Sequence, residues 1–135
     1  MKHIHGTELF ESLLGNNRIY LCGNLKKPQD LQWIHDDNIE VGISYYQEFT
    51  ADLPHQHSIV SEYNFVVSGS CKVLVVSEQK EYIFEEGSLF IIPPQTKYAS
   101  KHRSNTKILF FKVPGGNDKE LIEVSPSIQE WLSKW

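Results

Sequence analysis

Short apolar segments that alternate with turn-forming residues constrain this chain more than any other feature. Between residues 39 and 113, six segments are rich in β-branched and aromatic side chains, and no helical period connects them. Proline, glycine and small polar residues separate the segments. Many short strands at regular spacing are typical of an antiparallel sandwich or barrel. The predicted strands are Ile39–Phe49, Tyr63–Val67, Lys72–Val76, Glu81–Phe84, Ser88–Ile92 and Lys107–Val113.

Helix signals occur only near the two ends of the chain. Thr7 is a suitable N-cap and Gly15 a suitable stop for a short first helix. Ser125 and Pro126 provide the N-cap and the first-turn proline of a second helix. Both helices are predicted to be amphipathic, and the second should pack on the barrel or on a partner subunit. The apolar stripes comprise Leu9, Phe10, Leu13 and Leu14 in the first helix and Ile128, Trp131, Leu132 and Trp135 in the second.

Size and composition favour one globular domain with neither a nucleic-acid nor a membrane partner. Of the 135 residues, 40% are apolar and 22% are charged, which allows a hydrophobic core within one domain. The net charge of −4 gives no basis for nucleic-acid binding. No segment approaches the roughly 20 apolar residues of a membrane span, and the amino terminus lacks a signal-peptide core. Cys22 and Cys71 form no CxxC pair, so we predict free thiols in a cytoplasmic protein.

Charged residues are distributed unevenly along the chain. Residues 28–71 contain acidic side chains but no Lys or Arg, whereas residues 95–119 carry six cationic side chains against Asp118 alone. One interpretation is that strands from the two regions lie side by side, with their surface charges facing each other. The other is a basic rim that attracts an anionic substrate, such as a phosphate or a carboxylate.

Two histidines and a glutamate form the strongest candidate for chemistry. On an extended chain His55 and His57 point to the same face, because side chains two residues apart do so. Glu62 opens the next strand and shares its inner face with Asn64 and Val66. Two imidazoles and one carboxylate suit Fe(II), with Mn, Ni, Zn or Co as alternatives, and leave coordination positions open. A buried carboxylate without a partner is costly, so a cation is its natural companion.

The stretch from His55 to Gly69, with the spacing HxH-x4-E-x6-G, resembles the first motif of the cupin superfamily. The resemblance implies that His55, His57 and Glu62 bind a divalent metal ion. It also implies an all-β fold, the cupin-type double-stranded β-helix or jelly-roll barrel, with short amino- and carboxy-terminal helices. Small cupins usually pair into dimers through their sheets, so a homodimer is expected as well. We predict a single cupin domain over residues 1–135, with the barrel at about 38–114, an amino-terminal extension at 1–37 and a carboxy-terminal helix at about 126–135.

The second cupin motif is only partly matched. Gly87 and Pro93 occupy its glycine and proline positions, but Gln95 stands where another glycine is usual. Tyr98 replaces the usual fourth ligand histidine, and His102 replaces the usual asparagine. Tyr98 could be a phenolate ligand, a hydrogen-bond donor beside the metal, or a general acid or base. His102 could reach the site instead, and we take both residues as candidate catalytic groups.

Three functions are compatible with these residues. The first is a metal-dependent enzyme that acts on a small anionic or sugar-related molecule. The second is a non-enzymatic module that binds or senses a small ligand, because one fold hosts many functions. The third is a metal-free isomerase or epimerase that uses a histidine and Tyr98 as acid and base. The run Ser68–Val73 is similar to sugar-nucleotide ketoisomerases of the cupin superfamily, which motivates this third possibility.

Overall fold

The computed structural model describes all 135 residues and contains ten strands and two helices. The helices are α1 (Gly6–Gly15) and α2 (Pro126–Leu132). In chain order the strands are β1 (Arg18–Cys22), β2 (Glu40–Tyr46), β3 (Thr50–His57), β4 (Ser61–Ser68), β5 (Ser70–Val75), β6 (Lys80–Glu85), β7 (Leu89–Ile92), β8 (Tyr98–His102), β9 (Thr106–Val113) and β10 (Lys119–Leu121).

Two five-stranded antiparallel sheets face each other across the molecule. One sheet has the strand order β1-β2-β9-β4-β7, and the other has the order β10-β3-β8-β5-β6. Buried side chains from both sheets meet between them, among them Tyr46, Val66, Cys71 and Ile108. This arrangement confirms the predicted all-β jelly-roll class with short helices near both ends.

The alternation of buried and exposed residues explains why the central strands form this sandwich. In β4, Asn64 and Val66 are buried, while Tyr63, Phe65 and Val67 are exposed on the opposite face. A strand with this period of two covers a core with one face only.

The six predicted strands correspond to β2, β4, β5, β6, β7 and β9, but four strands were missed. Strand β3 was missed because proline was expected to separate strands. Pro54 instead lies within β3, where the pairing with β8 shifts register between Asp52 and His55. Such a bulge tolerates a residue without a backbone N–H. Strands β1 and β10 also extend the sheets beyond the predicted barrel range of 38–114.

The first helix differs from the prediction in its start and in its buried face. It begins at Gly6 after His5 rather than at a Thr7 cap, and the Glu8 carboxylate accepts a hydrogen bond from the His5 backbone N–H at 3.2 Å. Leu13 is buried, but Phe10 and Leu14 are exposed. Together with residues up to Leu31, α1 covers the outer faces of β1 and β2.

The second helix begins as predicted and packs on the barrel. The Ser125 hydroxyl accepts a hydrogen bond from the Ile128 N–H, and Ile128 and Leu132 pack against Ala99 of β8. Lys101 of β8 donates hydrogen bonds to the carbonyl oxygens of Trp131 and Lys134, at 2.6 and 2.7 Å. Neither helix has the length and apolarity required to cross a bilayer.

The acidic and basic regions of the chain do lie side by side. Strand β2 pairs with β9, and β3 pairs with β8. Glu40 is the register partner of Lys112, and their charged groups lie 3.9 Å apart.

Candidate functional site

A cavity of about 50 Å³ lies between the two sheets. Its lining includes all five candidate residues from the sequence analysis: His55, His57, Glu62, Tyr98 and His102. The first four lie at one end of the barrel, where β3 ends and β4 and β8 begin. His102 is the last residue of β8 and lies at the opposite end.

The His55 ring is held by hydrogen bonds at both nitrogens. Its Nδ1 lies 2.7 Å from the Leu53 carbonyl oxygen, and its Nε2 lies 2.8 Å from the Tyr98 hydroxyl. Because a carbonyl oxygen only accepts, Nδ1 carries the proton and Nε2 presents a lone pair to the cavity. Burial is the main influence on the His55 pKa and lowers it, which favours this neutral form.

The His57 ring bridges two carboxylates. Its Nδ1 lies 2.7 Å from an Asp118 oxygen, and its Nε2 lies 3.5 Å from a Glu62 oxygen. The hydrogen bond with Glu62 raises the His57 pKa most, and Asp118 adds to that effect against the opposing influence of burial. His57 therefore keeps one nitrogen anchored outside the cavity and directs the other toward Glu62.

Asp118 holds the His57 ring in place but was not among the residues predicted for the site. Besides His57, its carboxylate accepts hydrogen bonds from the backbone N–H groups of Ile59 and Val60, at 2.7 and 3.0 Å. Burial raises its pKa, but these backbone donors and His57 lower the Asp118 pKa to about 2 overall. The pairing of Lys119 with His57 brings Asp118 to this position, although Asp118 lies 61 residues after His57 in the chain. No local sequence pattern therefore predicts the contact.

Glu62 is an ionised carboxylate inside the cavity. Burial opposes ionisation, but the His57 hydrogen bond and the Lys112 charge lower its pKa to about 2. Asn64 also donates a hydrogen bond to Glu62 at 3.1 Å. Lys112 stands between Glu40 and Glu62 in the register of β2, β9 and β4.

The donor set fits a divalent cation, although the side chains do not form a ready-made metal site. No group of three or more His, Cys, Asp or Glu side chains converges closely enough to hold an ion. The Nε2 lone pair of His55 accepts a hydrogen bond from the Tyr98 hydroxyl. Even so, two imidazole Nε2 atoms and an ionised carboxylate face one cavity. Each histidine has its other nitrogen bonded to an oxygen acceptor, as metal-binding histidines do.

Tyr98 faces the cavity as a neutral hydroxyl. Its side chain is buried, and this burial contributes most to raising the Tyr98 pKa well above the usual value. The charges of Glu62 and Asp52 raise it further. As a neutral hydroxyl, Tyr98 donates a hydrogen bond to the His55 Nε2.

His102 is not brought to the His55, His57 and Glu62 group. Its ring stacks on Tyr46, with the two centroids 3.9 Å apart and the planes 10° from parallel. The ring is buried, and its Nδ1 has no hydrogen-bond partner. Burial lowers the His102 pKa to about 4, so the ring is neutral at neutral pH.

Arg18 joins His102 at that end of the cavity, although the sequence analysis placed it outside the barrel. Its Nε donates to the Ser44 hydroxyl at 2.9 Å, and its Nη2 donates to the Tyr46 hydroxyl at 3.3 Å. The Tyr46 and Ser100 hydroxyls lie 3.5 and 3.3 Å from one oxygen of Asp52. A second polar cluster therefore lines the same cavity.

The expected basic rim is limited to two lysines. Lys112 and Lys119 line the cavity, whereas Lys101 contacts α2 and Lys107 lies over the rings of Phe10 and Tyr45.

Solved structures with the same architecture have low sequence identity to this chain. A cupin superfamily protein from Desulfitobacterium hafniense aligns with a TM-score of 0.55 and 8% identity, over 74% of this chain and 80% of that protein. The chain has the cupin fold. No protein-family model matches the sequence, and neither does any curated protein.

Two further cupin-like neighbours bear functional names. KdgF from a Halomonas species aligns with a TM-score of 0.57 and 18% identity, over 70% of this chain and 87% of that protein. Pac13, named a nucleoside dehydratase, aligns with a TM-score of 0.56 and 16% identity, over 65% of this chain and 71% of that protein. Variants of Streptomyces Pac13 have been solved with uridine. These neighbours share the fold of this chain.

Proposed function

We propose that this cupin is an enzyme that binds a divalent metal ion through His55, His57 and Glu62 and transforms a small molecule. The observation that carries the proposal is the anchoring of both imidazoles. Leu53 and Asp118 hold the two Nδ1 atoms, so that both Nε2 atoms face the cavity beside the ionised Glu62. When bound, the metal would supply Lewis-acid polarisation of a substrate oxygen.

The protein side chains would position the substrate and move protons. Tyr98 keeps its proton because burial raises its pKa, and it can donate that proton to a substrate oxygen or leaving group. Lys112 and Lys119 line the cavity and supply positive charge for an anionic substrate.

A metal-free acid–base enzyme is the second candidate, and the contact between His55 and Tyr98 favours it. The two side chains lie 2.8 Å apart, with a neutral imidazole as base and a neutral phenol as acid. Loss of water from a substrate needs such a pair, and one neighbour is named a nucleoside dehydratase. In this case Glu62 and His57 would form a structural ion pair.

Metal analysis of purified protein distinguishes these candidates. We expect one equivalent of a divalent metal in the wild type and its loss in His57→Ala and Glu62→Gln. His35→Ala is the matched control, because His35 is exposed and lies outside the cavity. Wild-type protein that stays metal-free after incubation with Fe, Mn, Ni, Zn and Co would rule out the metal proposal and favour the second candidate.

The variant Tyr98→Phe distinguishes an enzyme from a binding module. Once a ligand has been found by screening phosphorylated and carboxylated sugars, we expect this variant to retain binding and to lose turnover. Binding without turnover in the wild type would identify a non-enzymatic module.

We further propose that the protein acts in the cytoplasm as a homodimer, with a small molecule rather than nucleic acid or a membrane as its partner. Cys22 and Cys71 are free thiols, which suits a reducing compartment.

A further inference from the structure

We propose that Arg18, Asp52 and His102 form a subsite that binds a small hydroxycarboxylate, at the end of the cavity opposite His57. The subsite shares its cavity with the proposed function and would hold the anionic end of the substrate of that site. It does not include the metal-binding residues, so the two proposals can fail separately.

Arg18 provides the cationic group. Its Nε and Nη2 are held by the hydroxyls of Ser44 and Tyr46, and its guanidinium lies 5.3 Å from the centre of the Phe110 ring. These contacts fix the orientation of the planar group but leave Nη1 without a hydrogen-bond partner. A guanidinium held in this way, with free donors toward a cavity, is suited to bind a carboxylate.

Asp52 provides an acceptor beside that cation. The hydroxyls of Tyr46 and Ser100 both direct their protons to the same oxygen of Asp52. No side chain donates to the other oxygen, Oδ1, and Asp52 lines the cavity. An ionised carboxylate accepts hydrogen bonds only, so this oxygen selects a ligand group that carries a proton, such as a hydroxyl.

His102 provides the observation that most directly indicates a ligand. The residue is only 4% exposed, it lines the cavity, and its Nδ1 has no partner. A buried polar atom without a hydrogen bond is rare and destabilising, and a bound ligand would satisfy it. Stacking on Tyr46 holds the ring in place at this end of the cavity.

The charges of the subsite favour a carboxylate over a phosphate. Arg18 is the only cationic side chain in this cluster, and Asp52 lies beside it. A doubly charged phosphate would meet stronger repulsion from Asp52 than a singly charged carboxylate would. A monoanion that also carries a hydroxyl group matches this cluster. Its carboxylate would pair with Arg18 and its hydroxyl would donate to Asp52, and His102 offers one more hydrogen-bonding group.

Calorimetric titration with glycolate, L-lactate and D-gluconate tests this subsite. Each acid is compared with its neutral counterpart, namely ethylene glycol, propylene glycol and sorbitol. We expect at least one acid to bind, and to bind about tenfold or more tightly than its neutral counterpart, because a charge-assisted pair is lost in the latter. Failure of all three acids to bind, or equal affinity for acid and alcohol, would overturn the proposal.

Variants locate the binding within the cavity. Arg18→Met and His102→Phe should each weaken binding of that acid by about tenfold. Arg103→Met is the matched control for lost charge, because Arg103 lies over Trp135 outside the cavity. Circular dichroism and thermal unfolding establish that each variant is folded. Unchanged affinity in a folded Arg18→Met would contradict the subsite.

Metal content separates this result from the proposed function. Arg18→Met and His102→Phe should retain the metal of the wild type, and Glu62→Gln should lose it. Weakened acid binding with retained metal supports the subsite specifically. Loss of metal in Arg18→Met would mean that the substitution acts on the whole cavity and would count against a separate subsite.

Discussion

Asp118 connects the proposed metal ligands to the turn between β3 and β4. One carboxylate bonds to His57 and to the backbone N–H groups of Ile59 and Val60. It therefore orients the imidazole and fixes the chain that leads to Glu62. Side chains that orient metal ligands in this way typically contribute strongly to metal affinity.

Replacing Asp118 by Asn should weaken metal binding by about 10- to 100-fold. The amide would place donor hydrogens opposite backbone donors and would remove the charge that favours the orientation of His57. The measurement is competitive titration with Zn²⁺ and a chromogenic chelator. Glu120→Gln is the matched control, because Glu120 contacts only Gln56 at the surface. Equal affinities of the two variants would contradict this role.

His102 should make the free energy of unfolding fall as the pH drops from about 6.5 to about 4. Burial lowers its folded-state pKa from 6.5 to about 4. In that window the unfolded chain binds a proton that the folded protein does not, so acid favours unfolding. The loss amounts to about 3 kcal/mol once the pH is below both values.

Urea unfolding at several pH values between about 7 and 4 measures this effect. In His102→Phe, which retains an aromatic ring against Tyr46, the pH dependence should be weaker than in the wild type. His35→Gln is the control, since it removes an exposed histidine. An identical pH dependence in wild type and His102→Phe would disprove the prediction.

The sequence could predict the part of the site that depends on local geometry. The period of two in a strand places His55 and His57 on one face, and the same rule relates Tyr98 to His102. Asp118 and Arg18 could not be predicted in this way. They reach the cavity through the pairing of β10 with β3 and of β1 with β2, which depends on the register of distant segments.

At the level of elements, the turn between β4 and β5 depends on close approach to β9. Gly69 has a φ of 79°, and a Cβ at this position would lie 2.7 Å from the Thr106 Cα. Thr106 exchanges hydrogen bonds with the backbone of Ser70 through its hydroxyl. The glycine of the first motif is therefore required by both its backbone conformation and the lack of space.

Gly69→Ala should destabilise the protein more than Gly87→Ala does. Gly87 also has a positive φ, 85°, but a Cβ there would meet nothing within 4 Å. Both variants should lose about 1–2 kcal/mol from backbone strain. Gly69→Ala should lose about 1–3 kcal/mol more, because Thr106 must move. Urea unfolding of the two variants tests the difference, and equal losses would refute it.

Among the strands that were predicted, β4 and β9 show a regular alternation of more and less buried residues. Strand β8 was missed because its five residues, Tyr98 to His102, are all buried and include Lys101 and two other polar side chains. Helix α2 covers one face of β8, and the other face borders the polar cavity. Neither contact can be recognised from the local sequence. Gln95 illustrates the same limit, since it adopts a φ of 62° where the cupin motif usually has glycine.

For the whole molecule, the outer face of β9, β4 and β7 is the surface that we expect to form the homodimer. Tyr63, Phe65, Leu89 and Ile91 are neighbours in the sheet register and are 37–61% exposed. Leu109 and Phe111 continue this face on β9. Because these six positions carry no charge, the face is complementary to a second copy of itself.

Phe65→Lys should convert the dimer into a folded monomer. A charge at the centre of an apolar interface is not compensated in the dimer, whereas the same side chain is tolerated at the surface of a monomer. Light scattering coupled to size-exclusion chromatography measures the mass. Phe10→Lys is the matched control, since Phe10 is 54% exposed on α1. A monomeric wild type, or a dimeric Phe65→Lys, would exclude this interface.

In the proposed homodimer, the amino-terminal segment that covers β1 and β2 would restrict the interface to the remaining part of the sheet. It occupies the part of the outer sheet next to the proposed interface, and α2 occupies the outside of β8. When two subunits pair through the same face about a twofold axis, that face is buried in both of them. Growth through this face would then stop at a closed pair.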